Sequence, residues 1–444
     1  MLKQVSTRLM AVVMVVAGVA LVAVQCATGP VPAAPAADAG EAEAPGEKQV
    51  VTIAYNGYFE KSFGPAAPPI EAIQNEVARR YPDIQVELNI MPYEVGPWHD
   101  NYLTWFQAED DTSDLLGMGL YWLPEFAEAG WLLSLNDRIS PNIIEKLNPA
   151  YLQAFTYNGD LLALGPWWGG IGGLYYRQDL LEAAGYDPPQ TYQELVEIAA
   201  AITADEPELT GWTWPALKDQ VLVNRWVEFL NGFSGAYFDQ TGQCAMNDEA
   251  GLAALEFMIS LFENGVTPRE ALTWKEEDAH IRFTSGRALF HTGRQDMMFW
   301  LDDSEQSEVV GQWGFAPMPA VEGQQGAGFF EGWGFAINRY SDNPEAAAKV
   351  LEVMFQFPVQ KAFNLSQGPV QAHVDVYSDA DVVDNNPNMP LIEKVADTAI
   401  PPIPSADYAE ISVILQEELH TALTGGKSAL AALDDACARI DTLP

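Results

Sequence analysis

The residues of this chain best suited to chemistry are aromatic rings set beside glycine and proline, with a few charged side chains among them. Tyr58, Tyr121, Trp122, Trp167, Trp168, Trp214 and Trp333 stand at expected strand tips and loops, together with Arg294 and Glu331. A flat ring packs on the apolar C–H face of a sugar, while carboxylate or guanidinium edges bond its hydroxyls. Each aromatic also has a core reading, because large rings are commonly packed inside. An extended chain sends Trp167 and Trp168 to opposite sides, so at most one of that pair faces a ligand. The same holds for Tyr121 and Trp122. Trp226 and Phe229 share one expected helix face and read as core. Glu331, between Phe330 and Gly332-Trp333, needs a partner if it is buried. Tyr175-Tyr176 reads as strand, not as an iron site.

Other chemistries lack their residues. The five histidines have no spacing of the H-E-x-x-H type, and no C-x-x-C is present, so no metal centre is expected. There is no G-x-S-x-G elbow and no phosphate-cradling loop with Lys. Gly169-Gly170-Ile171-Gly172-Gly173 has glycines at the wrong offsets for a dinucleotide fingerprint. No cofactor and no catalytic residue is expected, although a glycosidase-type carboxylate pair cannot be picked out among 62 Asp and Glu.

The elements that must position these residues alternate in type. Val50–Tyr55 reads as a strand, Ile70, Ile73, Val77 and Tyr81 mark a helix face stopped by Pro82, and Val86, Leu88 and Ile90 alternate as a second strand. This order predicts parallel strands with helical crossovers. Asp114–Met118 reads as a third strand. From Tyr157 to Leu195 come a turn at Asn158-Gly159, short strands around the Pro166-Trp167-Trp168 corner, a helix ended by Gly185, and the capping box Thr191-Tyr192-Gln193-Glu194. Such an aromatic, glycine-rich corner reads as a crossover between two lobes.

The ordered set of these segments resembles family 1 extracellular solute-binding proteins, the maltose-binding-protein-like sugar receptors of ABC importers. The stretch Tyr157–Leu195 is similar to the first hinge of that family, and Trp131-Leu132-Leu133-Ser134-Leu135 to the turn behind its cleft. Phe283–Phe290 is similar to its helix-and-strand, Trp313–Pro319 to its second crossing, and Phe329–Ile337 to the strand that returns to the first lobe. Ser366–Val370 resembles a third crossing. The resemblance implies an α/β protein of two lobes, each a mixed sheet flanked by helices, joined by a three-segment hinge. It places the first lobe at 48–168 plus 316–365, and the second at 169–315 plus 366–444. Many sugar-binding relatives carry Trp near the position of Arg294. A guanidinium there points to an acidic group on the ligand, such as a uronic acid.

Composition and the N-terminus set the location. Lys3 and Arg8 precede the apolar run Leu9–Val24, which is shorter than the roughly 20 residues of a spanning helix and reads, within residues 1–25, as a signal peptide. Cys26 follows and resembles the acylated cysteine of a lipoprotein, with Gln25 departing from the usual small residue. Cleavage after Ala34-Pro35-Ala36 is the alternative. Residues 26–49, rich in Ala, Pro and Glu, read as a flexible tether. The expected place is the outer face of a bacterial cell membrane. A net charge of −40 excludes nucleic acid as a partner. Cys437 lies on an apolar helical stripe and reads as a core thiol, a bond to Cys244 being the alternative.

The resulting expectation is a monomer that captures a carbohydrate between two lobes and delivers it to ABC permease subunits. A secreted carbohydrate-active enzyme, or a receptor serving a membrane sensor, are the other readings.

Overall fold

Residues 48–56, 68–92, 95–165, 169–367 and 372–443 are described by a computed structural model. Tyr58, Trp167, Trp168 and Cys26, with the signal-peptide and nearly all of the tether segments, lie outside these residues.

The opening alternation folds as a parallel unit. Strand Gln49–Asn56 pairs in parallel with Ile84–Met91 and with Leu115–Gly119. Helix Pro68–Arg80 makes the first crossover, burying Ile73 and Val77 as their spacing requires. Strand Phe330–Ile337 then adds antiparallel to Leu115–Gly119, so this sheet is mixed. A second mixed sheet forms where Gly169–Arg177 pairs antiparallel with Ala288–Arg294 and Trp313–Ala316, while Thr210–Thr213 lies parallel to Ala288–Arg294. The sheets are joined through Phe330–Gly332 against Gly169–Ile171. Local signals match the elements they predict. Helix Tyr192–Thr203 begins with the Thr191/Glu194 capping box, and Gly185 ends the preceding helix at φ 77°. Among the described residues no helix is long and apolar enough to cross a membrane.

Two hydrophobic cores underlie the two lobes. One gathers side chains of Val51–Ile171 and Phe330–Ala396, together with Tyr175 and several from 283–315. The other gathers Leu174, Leu181–Ala271 and Ile403–Ile440. Val382, Met389, Ile392, Val395 and Ala396 bury in the first core, and helix Met389–Ala396 also packs on strands Trp313–Ala316 and Gly169–Arg177. Of the expected crossing Ser366–Val370, residues 368–370 are outside the described residues, and a further chain contact between the cores lies at Ile400. Ile400 N–H donates to Gly328 O at 2.9 Å, and Phe330 N–H donates to Ile400 O at 2.6 Å. The second core is tied by a bond the sequence left as an alternative: Cys244 and Cys437 form a disulfide, linking a turn to the last helix.

Candidate functional site

A cavity of about 450 Å³ opens between the two cores, within the size range of small-molecule sites. One wall comes from the first core. Gly119 ends its strand and the chain turns through Leu120–Trp122, which brings Tyr121 and Trp122 to the cavity. Trp122 is only 6% exposed, because its ring meets Trp98 edge-on at 5.0 Å and Trp333 at 5.7 Å. Trp98 and Trp333 stack flat at 4.8 Å, so a set of interlocked rings stands behind Trp122. His99 and Glu125, joined at 2.8 Å, complete this wall.

The opposite wall is helical and polar. Asp219 caps helix Gln220–Gly232 by accepting from Val221 N–H, and Gln220 and Asn224 face the cavity one turn apart. Tyr408, Ser412 and Gln416 repeat every fourth residue on helix Tyr408–Leu423 and line it too. Gln220 donates to the Tyr408 hydroxyl at 2.6 Å and accepts from Ser412, which fixes the amide. Tyr121 and Tyr408 approach across the gap, 6.2 Å apart and 19° from parallel. Burial raises the hydroxyl pKa of both, with the Glu331 charge adding to it, so both stay neutral donors at any physiological pH.

Glu331 lines the cavity from the returning strand. Its Oε2 accepts from Arg294 Nη1 at 2.9 Å. Arg294 also pairs with Asp296 at 2.9 Å and lies 3.7 Å from Glu276. Burial works against its charge, yet Asp296, Glu276 and Glu331 together hold the guanidinium pKa above its ordinary value. Three carboxylates face one cation there.

The sequence-named residues therefore part company. Tyr121, Trp122 and Glu331 meet at the cavity, Trp333 stands behind Trp122, and Arg294 stands behind Glu331. Trp214 is 0% exposed in the second core, packed on Phe262 at 5.3 Å with its indole N–H on Thr267. It follows a strand buried on every residue, and this burial overrides the loop expectation. Trp226 and Phe229 are core, as expected. Tyr175 is also buried, donating to Arg294 O at 2.8 Å. Sequence reading missed His99, Gln220, Asn224, Tyr408, Ser412 and Gln416. The four-residue spacing of the last three along one helix face was the available signal. No group of three or more metal-ligating side chains is assembled among the described residues.

Residues 64–361 match the family model described as bacterial extracellular solute-binding protein, and the chain belongs to that family. Among curated proteins it is similar to a "Probable ABC transporter-binding protein" of Deinococcus radiodurans, 28% identical over 70% of this chain and 76% of that protein. Among solved structures it is similar to maltose-bound MalE3 of T. maritima, 30% identical with a TM-score of 0.69, covering 89% of this chain and all (100%) of that one. The sugar-binding protein MalE of Xanthomonas citri shares the fold at a TM-score of 0.76, with 20% identity over 88% of this chain and 96% of that one.

Proposed function

We propose that this protein is an extracytoplasmic receptor that captures a carbohydrate in the interlobe cavity and passes it, chemically unchanged, to the membrane subunits of an ABC importer. The observation that carries the reading is the cavity itself, where aromatic surfaces of Tyr121, Trp122 and Tyr408 meet a polar edge of Glu331, Gln220 and Asn224. Rings cover the C–H faces of a sugar, and the carboxylate and amides accept or donate to its hydroxyls. The likeness to a maltose-bound receptor and to a transporter-binding protein supports the same function.

The ligand is a neutral sugar in this reading. Arg294, which in the sequence suggested an acidic ligand, already faces Glu331, Asp296 and Glu276. A fourth carboxylate brought by a uronic acid would meet excess negative charge. The lobes divide where the chain crosses between cores, near residues 171–174, 329–330 and 396–403, and they close on the ligand as a hinge. Cys26 is the lipid anchor in this scheme, residues 26–49 the leash to the transporter, and the receptor works as a monomer without a cofactor.

A thermal-shift screen of the purified chain against neutral sugars, oligosaccharides and uronates tests the proposal, since a ligand of the folded state raises Tm with concentration. Stabilisation by a neutral sugar recovered intact is expected. Conversion of that sugar into products would make the protein an enzyme, and stabilisation by uronates alone would overturn the neutral assignment.

A further inference from the structure

Glu228 sits on helix Gln220–Gly232 and is 0% exposed. It is in register with the cavity: Gln220, Asn224 and Glu228 follow at intervals of one turn, so one helical row runs from the ligand site inward. A carboxylate without water needs donors. Its Oε1 accepts from Phe329 N–H at 2.9 Å, at the residue where the second crossing leaves one core for the other. Oε2 lies 3.1 Å from Arg225 Nη1 but makes no aligned hydrogen bond among the described residues, and Arg225 Nε has none either.

The first crossing closes in on the same group. A Cβ on Gly172 would stand 2.3 Å from Glu228 Oε1 and 3.2 Å from Phe329 N, so a side chain here would displace the carboxylate. Gly172 N–H donates to Phe329 O at 3.0 Å, while Phe330 N–H donates to Ile400 O. The carboxylate thus bonds to the chain at Phe329 and abuts the strand at Gly172, and this pair of segments is tied in turn to Ile400.

We propose that Glu228 is a positioning residue of the hinge, clamping the second-lobe helix to the crossing segments, and that closing this clamp takes up a proton, which makes closure depend on pH. The proposal rests on reading the cavity as a cleft that closes, but not on the identity of its solute.

The surroundings set the sign. Burial pushes the Glu228 carboxyl up to about 7, against the Arg225 charge and the Phe329 N–H, and Glu276 raises it further. Tyr192 faces it from helix Tyr192–Thr203, its hydroxyl pKa raised by burial and by the Glu228 charge. His291 lies near Arg225 and beside His280, and both imidazoles are held below their ordinary range, by burial first. They are neutral and supply no counter-charge. When the crossing amide leaves Glu228 and water reaches the carboxylate, its proton affinity falls toward the ordinary value. The closed clamp therefore binds the proton more tightly and is favoured as pH falls through neutrality.

Hydrogen–deuterium exchange of the ligand-free full chain tests this without knowledge of the sugar. Protection factors at Phe329 and Phe330, corrected for intrinsic chemistry, should be about fourfold higher at pH 6.5 than at pH 8 in the wild type, as linkage to a carboxyl raised to about 7 requires. Glu228→Gln keeps the acceptor and loses the titration, so its protection should be the same at both pH values. Glu228→Ala should lose protection at both; should that variant not fold, Glu228→Gln still decides. Equal protection at both pH values in the wild type, or a pH dependence that persists in Glu228→Gln, would overturn the proposal. Because no sugar is used, neither result bears on the carbohydrate reading.

Discussion

The two walls of the cleft solve the same problem with different chemistry. The first-core wall is a lattice of rings, in which Trp98, Trp122, Trp333, Tyr102 and Phe126 meet edge to face or stacked. The rings of this wall carry no charge, and each is fixed by its neighbours. The second-core wall is a helix row of amides and hydroxyls, backed by the buried pair Arg225–Glu228 and by His291. A buried ion pair contributes little net stability but is costly to break. Shape is thus held on one side, while polarity and response to conditions belong to the other.

The largest expected effect comes from the ring wall. Trp122→Ala removes a buried ring and should cost about 3–5 kcal/mol of stability. It should also weaken sugar binding by ~100-fold, measured by denaturant melts and calorimetry. Normal binding by this variant would reduce the wall to packing. Next is the covalent tie of the second core. Replacing Cys244 and Cys437 together by serine should cost roughly 2–4 kcal/mol, because the bond closes a long loop. Affinity should be unchanged, as neither cysteine lines the cavity.

Glu331→Gln should lower affinity for a neutral sugar roughly tenfold or more, in keeping with a hydrogen bond to a charged group. Melting temperature should barely move, since Glu331 is partly exposed. The smallest effect is a pH profile. The carboxyl of Glu228 rises from 4.5 in the unfolded chain to about 7. Its contribution is therefore full below pH 4.5 and is lost as pH rises through the folded value. Glu228→Gln should melt about 1–3 °C above the wild type at pH 8, with the difference fading toward pH 5. A constant difference would mean that Glu228 does not titrate in that window.

The same contrast explains what could be read in advance. The 191–194 capping box and Gly185 ending the helix before it are local signals that appear in the fold, whereas of the alternating Val86, Leu88 and Ile90 only Val86 is buried and Ile90 is exposed. Tyr121 and Trp122 could be named because a strand tip followed by a helix is a local pattern as well. The polar wall could not. Glu228 meets Phe329 across 101 positions, and Tyr408 meets Gln220 across 188. No local rule pairs residues so far apart. Trp214 shows the converse limit, since its proline neighbour suggests a loop while the strand before it is wholly buried. Arg294 was read as open to an acidic ligand because Glu276 and Glu331 come from separate segments, although Asp296 stands only two residues on.

The central claim is that a sugar is held intact between these two walls. Calorimetric titration with maltose, cellobiose and their monosaccharide, followed by chemical recovery of the bound sugar, tests it most directly. One sugar bound per chain, recovered unaltered, and lost in both Trp122→Ala and Glu331→Gln, is the expected result. Binding that survives both substitutions, or a sugar recovered as cleaved product, would contradict it.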